Sequence, residues 1–250
     1  MIQFVEEFQK NGKLVKGANA SFVVLIPKKE NPVKIEDYRP ISLISCMYKV
    51  IAKLLANRLR RVMDGIIGME QSAFIGGRQL MDGVVVANET MDEVKKKRSR
   101  CIIFKADFEK AYDKVCWDFL LYMLEKMGFC KTWRNWILEC LKTNSVSVLV
   151  NGSPTKEFSM SRGLRQGDPL SPFLFLIVAE GLNGIIRSAI DLKLFQWNPN
   201  WQKGLSSILF TVCRRHNNLC RCSRAKCLGS EVHNENLRIG LRVEDKLLQK

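Results

Sequence analysis

Phe104-Lys-Ala-Asp-Phe-Glu-Lys-Ala-Tyr-Asp113 is the stretch on which the reading of this 250-residue chain turns. Cys101 to Asp107 has the pattern of a strand, with Ile102, Phe104 and Ala106 on one face and Ile103, Lys105 and Asp107 on the other. An acid, Asp107, therefore stands at the end of an apolar strand. A divalent cation such as Mg2+ takes oxygen ligands, and is usually held by one or two carboxylates together with substrate phosphates. Asp107 suits that role. Standing by itself, it reads more simply as a solvated strand-end acid.

Downstream, Leu120, Met123, Leu124 and Met127 mark a helix stopped by Gly128. Thr132 is expected to cap another, carrying Trp133, Trp136, Ile137, Cys140 and Leu141. Val146, Val148 and Val150 alternate into Asn151-Gly152, a strong hairpin signal. Gly163-Leu-Arg-Gln-Gly-Asp-Pro-Leu-Ser-Pro172 then sets two donors, Arg165 and Gln166, among glycines. It lies just ahead of a helix over Leu174–Ile190, with Ser171 and Pro172 as cap and first helical residue. Glycines permit close backbone approach and a helix start favours anions, so the segment suits a phosphate- or base-bearing ligand. Alone, it is equally a tight turn.

Upstream, Phe22-Val-Val-Leu-Ile26 reads as a strand closed by Pro27 and a basic loop at Lys28 and Lys29. Asp37-Tyr-Arg-Pro40 follows, and Pro40 biases its predecessor away from helix. From Leu43 to Met63 apolar residues recur at three and four (Leu43, Met47, Val50, Ile51, Leu54, Leu55, Leu59, Val62), with Lys49, Lys53, Arg60 and Arg61 largely between them. That pattern predicts an amphipathic helix with a basic outer face. Gln71 to Arg78 reads as a loop and Leu80 to Val94 as a further helix. The basic run Lys95 to Arg100 is explained as well by a solvated turn as by a nucleic-acid contact. Strands and helices come mixed, without strict βαβ alternation, so the fold class is α+β.

The net charge of +15 favours an acidic partner, of which nucleic acid is the commonest; a generally basic protein is the plain alternative. No apolar run reaches the ~18 residues of a membrane span and no charged-then-apolar leader opens the chain, so no membrane partner is expected. Nine irregularly spaced cysteines argue against a secreted disulfide scaffold and for a reducing, intracellular location, nucleus or cytoplasm.

Five segments carry more together than apart. Leu25-Ile-Pro-Lys28, Tyr38-Arg-Pro-Ile-Ser-Leu43, Gln71-Ser-Ala-Phe74, Phe104 to Asp113 and Gly163 to Pro172 follow one another in the order and spacing of one family. Over residues 2 to 195 the chain resembles the reverse transcriptase domain of non-LTR (LINE-type) retrotransposons, most like those of plant genomes. The resemblance implies a right-hand polymerase, with fingers over 1–100 and palm over 101–195. It also implies an RNA template, a DNA primer, deoxynucleoside triphosphates and two Mg2+ ions. By the same resemblance Asp107 is the first catalytic metal ligand, and Tyr112 packs under the incoming sugar. Lys28 and Arg39 approach the triphosphate, and Arg165, Gln166 and Gly167 form the turn beside the nucleotide. Asp113 is taken as structural.

The pattern fails after Phe195. The family's next motif, Tyr/Phe-Ala-Asp-Asp, supplies a further ligand for the metals. Here Phe210-Thr-Val-Cys-Arg-Arg-His-Asn217 stands in its region, with no acid between Asp191 and Glu231. One carboxylate does not hold two Mg2+ ions about 3.5–4 Å apart. The expectation is an incomplete palm, without activity in this chain, and a non-enzymatic RNA-binding remnant is the alternative. The genetic code suggests a cause. Thr211 to Asn217 can be encoded ACA GTA TGC AGA CGA CAC AAT, which one nucleotide later reads Gln-Tyr-Ala-Asp-Asp-Thr. The same shift can turn Cys227 to Arg238 into a second stretch typical of the family. A one-nucleotide frame error between Asp191 and Gln196 would make 196–250 an out-of-frame tail. The rival reading of that tail is a zinc knuckle of Cys213, His216, Cys220, Cys222 and Cys227, whose spacing fits no paired Cys-x-x-Cys arrangement well. Without the acidic hairpin, the β-strand at Cys101–Asp107 loses its cover and a partly molten product is expected.

Overall fold

A computed structural model describes residues 1–69, 71, 73–98, 101–105, 110–193 and 209–213. Asp107 and the Cys/His cluster beyond Cys213 lie outside the described residues. The chain forms two compact units, one of residues 1–67 and 110–181, the other of 68–109 and 182–250.

The first unit is built on a mixed sheet. β1 (Ala20–Pro27) and β2 (Tyr38–Ile44) pair antiparallel, in a register that sets Ile26 opposite Arg39 and Phe22 opposite Leu43. β4 (Ser145–Val150) lies parallel to β1 on its other side, and pairs antiparallel with β5 (Ser153–Pro154) and β6 (Phe158–Ser159). Between β4 and β5, Asn151 and Gly152 both take positive φ, 50° and 82°, the backbone of the two-residue hairpin that this dipeptide predicts.

The helix expected from Leu43 begins later. α2 spans Cys46–Ile66, and Ser45 caps it by accepting a hydrogen bond from the Tyr48 N–H at 3.2 Å. Leu43 belongs to β2 and is 52% exposed. The core seam is Tyr48, Ile51, Ala52, Leu55, Ala56, Leu59 and Met63, while Met47, Val50 and Val62 face outward. Periodicity alone merged two faces of the helix, because apolar side chains lie on both.

α4 (Trp117–Lys126) buries Leu120 and Leu124 and ends at Gly128, whose φ is 83°. α5 (Lys131–Lys142) has Cys130 as its N-cap, not Thr132, because extended backbone gives way to helix two residues sooner than the sequence suggested. α5 buries Trp133, Ile137, Cys140 and Leu141. An N-terminal helix that the sequence analysis does not assign, α1 (Ile2–Asn11), buries Phe4 and Phe8. Phe8 lies 5.9 Å from the ring of Trp136, and the Leu14 N–H donates to Glu139 just past the helix.

α6 runs over Ser171–Asp191, and its part in the first unit buries Phe173, Leu174, Leu176, Ile177 and Val178. Its stretch Ser171–Ala189, 19 residues of mean hydropathy 1.3, does reach the length and composition of a membrane span, contrary to the sequence expectation. Inward packing of these side chains accounts for its apolarity as a core helix. Each fully buried Leu or Ile contributes roughly 1.5–3 kcal/mol relative to leaving it exposed.

In the second unit, Arg78 closes the loop after α2 by donating to the carbonyls of Gly68 (2.5 Å) and Gln71 (2.6 Å), and α3 spans Leu80–Lys96. β3 (Cys101–Lys105) pairs antiparallel with β7 (Leu209–Cys213), register Phe104 to Phe210. The tail thus places a strand beside β3, which the sequence reading did not anticipate.

Candidate functional site

The β1–β2 hairpin carries two of the sequence-selected cations, Lys28 in its connection and Arg39 on β2. Asp37 shapes it, accepting from the N–H groups of Val33 (2.9 Å) and Lys34 (3.0 Å) and pairing with Lys29 at 2.9 Å. The Lys34 N–H first, then Lys29 and the Val33 N–H, hold its carboxyl below the ordinary value. Lys28 is exposed at the end of β1, its N–H donating to the Asp37 carbonyl (2.7 Å) and its Nζ to the Glu36 carbonyl (2.8 Å). Arg39 is exposed on β2, and its guanidinium has no partner among the described residues.

Against this hairpin sits the Gly163–Asp168 turn. The Ser42 N–H of β2 donates to the Gln166 carbonyl at 2.8 Å, so the free edge of β2 is closed by the turn. Gly167 has φ 104°, and a Cβ there would lie 3.0 Å from the Ser42 carbonyl oxygen. At its other end the turn grips the segment after Asp107. The Gly163 N–H donates to the Val115 carbonyl and the Leu164 N–H to that of Tyr112, both at 2.8 Å. The Tyr112 ring stacks on Phe175 of α6, centroids 5.3 Å apart and planes 17° from parallel. Lys28, Arg39, Tyr112, Gln166 and Gly167 are therefore held by one set of backbone contacts.

Arg165 does something else. Its guanidinium is buried, with Nη2 3.0 Å from Asp168 Oδ2, Nη1 3.1 Å from Asn144 Oδ1, and the Tyr48 ring face 4.2 Å away. The Tyr48 hydroxyl donates to the same Asp168 oxygen at 2.8 Å, and Asp168 Oδ1 accepts the Leu170 N–H at 2.9 Å. The expected ligand donor is instead the anchor of its own turn, because its charge is already paired and out of solvent. Tyr48, Asn144 and Asp168 are the residues that sequence reading missed. The available signal was a tyrosine on the buried seam of α2.

Burial, and after it the Asp168 charge, raises the Tyr48 phenol well above its ordinary value, and burial pushes the Cys140 thiol up as well. Because the folded pKa of Tyr48 exceeds the unfolded one, its contribution to stability is complete below about pH 10 and is lost as pH rises further. In a spectrophotometric alkaline titration of the chain's 4 tyrosines, Tyr48 should ionise only together with unfolding. Ionisation of all four before loss of the far-ultraviolet helix signal would contradict this.

Asp113 is exposed, yet desolvation raises its pKa, opposed by the nearby charges of Lys110 and Lys28. No group of three or more Asp, Glu, His or Cys side chains that could hold a metal ion occurs among the described residues. The described residues therefore do not by themselves fit a two-metal centre.

A mixed sheet whose hairpin, glycine turn and tyrosine converge in this way is the fingers and palm arrangement of a nucleotide polymerase. Residues 26–198 match the reverse transcriptase (RNA-dependent DNA polymerase) family, and the chain belongs to it. Its relatives are reverse transcriptases of non-LTR retrotransposons. It is 28% identical over 194 residues, 74% of its length, to the transposon TX1 uncharacterized 149 kDa protein of Xenopus laevis, covering 15% of that protein. To the Pol polyprotein of the type-1 retrotransposable element R2 of Popillia japonica it is 28% identical over 72% of its length, covering 25% of the polyprotein. The chain thus spans a quarter or less of these relatives. In fold it is similar to telomerase from Candida albicans, TM-score 0.50 at 13% identity, over 85% of this chain and 41% of that one. Enzymes of this family generally use a divalent metal.

Proposed function

We propose that residues 1–195 are the fingers and palm of an RNA-directed DNA polymerase, and that the chain as it stands does not turn over. The polymerase reading is supported chiefly by the backbone grip of the Gly163–Asp168 turn on both Ser42 of the hairpin and Tyr112. In that reading Lys28 and Arg39 bind the triphosphate of an incoming deoxynucleotide. Gln166 and Gly167 border its base and sugar, and Tyr112 excludes a 2′-hydroxyl by sterics. Of the acids in the Phe104–Asp113 motif, Asp107 is the one assigned to Mg2+.

The lack of turnover follows from the sequence. No acid occurs between Asp191 and Glu231, where the second carboxylate pair belongs, so the metal site is short of ligands. The family match ending at residue 198 supports a frame error close to Asp191–Gln196.

Primer extension on an RNA template tests both parts. The 250-residue chain should incorporate no deoxynucleotide at any Mg2+ concentration. The same chain with the next reading frame restored after Asp191 should incorporate, and Asp107→Ala should abolish that activity. Mg2+-dependent incorporation by the unrepaired chain, lost in Asp107→Ala, would overturn the inactive reading.

A second reading, RNA binding without catalysis, is favoured by the +15 charge and by the row of exposed cations on α2 that have no carboxylate partner among the described residues.

A further inference from the structure

α2 turns toward solvent a face that the polymerase reading leaves unused. Lys49, Lys53, Asn57 and Arg60 are all exposed and follow one another at i, i+4, i+8 and i+11. At 100° per residue Lys49, Lys53 and Arg60 fall within about 40° of arc, and at 1.5 Å rise the row is about 16 Å long. Arg61 is exposed at its flank. The helix carries five cations in all against a single acid, Asp64, at its C-terminal end.

The usual explanation for such a face is a lattice of surface ion pairs. That explanation fails here. Ion pairs seen in the first unit lie elsewhere, among them Lys13–Glu139, Lys29–Asp37, Arg134–Glu125 and Arg165–Asp168. Lys49, Lys53, Arg60 and Arg61 have no carboxylate partner among the described residues. Arg58 is taken up differently, lying 5.5 Å over the Trp133 ring and 5.7 Å over that of Trp136, and so is not counted in the row. Arg60 has an anchor of its own, at 5.7 Å over the Phe173 ring, which limits the rotamer freedom lost when it meets a ligand. Three like charges in line on one helix repel one another and destabilise it modestly. A polyanion lying along the row removes that repulsion.

We propose that this outer face of α2 is a docking strip for the phosphodiester backbone of RNA, contacted through Lys49, Lys53 and Arg60, with Arg61 and Asn57 beside them. The proposal rests on the reading of the chain as an RNA-binding polymerase domain, and adds a contact surface on the outside of the hairpin unit. A polynucleotide matches the strip in charge and in length, since each strand presents a phosphate about every 3.4 Å of helix axis. Contacts of this kind position the strand without reading its bases.

The test is fluorescence anisotropy of a labelled single-stranded RNA with the 250-residue chain across a salt series. The triple variant Lys49→Gln/Lys53→Gln/Arg60→Gln is compared with Lys10→Gln/Lys16→Gln/Lys131→Gln, which removes the same charge from exposed positions elsewhere. Glutamine keeps helix propensity, and circular dichroism checks the fold. Loss of three phosphate contacts should make the slope of log Kd against log salt shallower by about 2 in the strip variant only. Lys49→Arg/Lys53→Arg should bind as the parent does. Equal losses in both triples would overturn the strip and leave RNA binding as a property of net charge. No RNA binding by the parent chain, or binding to phosphatidylserine vesicles in its place, would overturn the strip and the RNA-binding reading together.

Discussion

Asp168→Ala is expected to lower the stability of the unit formed by residues 1–67 and 110–181 by about 3–5 kcal/mol, the usual cost of stranding one member of a buried ion pair. The carboxylate accepts three hydrogen bonds, from Arg165, Tyr48 and the Leu170 N–H, and it is 5% exposed. Removal leaves the Arg165 guanidinium out of solvent with only neutral acceptors, the Asn144 side chain and the Asn19 carbonyl. Domains of this size hold about 5–15 kcal/mol in total, so the loss is a large part of the whole. Urea unfolding followed by tryptophan fluorescence reads it, since Trp133 and Trp136 lie in the same unit. The double variant Arg165→Leu/Asp168→Leu should be less destabilised than Asp168→Ala, because it removes the stranded charge along with its partner. A single-variant loss under about 1 kcal/mol would place the pair in the class of solvent-screened surface bridges, and the account of Arg165 as an anchor would fall.

Why the sequence did not reveal the anchoring of Arg165 follows from the same contacts. In the linear chain it is a cation among glycines, which is what a phosphate loop looks like. Its burial depends on Tyr48, which meets Asp168 across 120 positions of chain, and on Asn144. Nothing local announces them. Features with a local cause were legible. Asn151-Gly152 sets its own turn because both residues tolerate positive φ, and Gly128 ends α4 for the same reason. The start of α2 was misplaced since Leu43, Met47 and Val50 continue an apolar rhythm that the Ser45 cap interrupts. The catalytic motifs were legible through their order along the chain, and the match to residues 26–198 bears out the family. The strand Leu209–Cys213 was not legible, because its pairing with Cys101–Lys105 joins distant segments through backbone bonds that any sequence offers.

Gly163→Ala should be the most damaging glycine-to-alanine change among the described residues. Gly163 has φ +85°, and a Cβ built there would lie 2.8 Å from the Asp113 carbonyl oxygen and 3.2 Å from its carbonyl carbon and Cα. All three are backbone atoms, so no rotamer change relieves the overlap. Gly152 provides the reference: its φ is +82° and nothing lies within 4 Å of the added methyl. Gly152→Ala should therefore cost only the left-handed backbone term, about 1–2 kcal/mol. Gly163→Ala carries that same term plus the displacement of Asp113, and overpacking of this kind typically adds about 1–3 kcal/mol. The difference between the two midpoints in urea isolates the contact. It also bears on function, because the Gly163 and Leu164 N–H groups hold Val115 and Tyr112. Pushing Asp113 away moves Tyr112 relative to Gln166, so in the frame-restored chain the variant should lose discrimination against ribonucleotides as well as stability. Equal costs at Gly163 and Gly152 would mean that the turn does not bear on Asp113. The coupling between the Tyr112–Val115 segment and the Gly163–Asp168 turn would then rest on the two backbone hydrogen bonds alone.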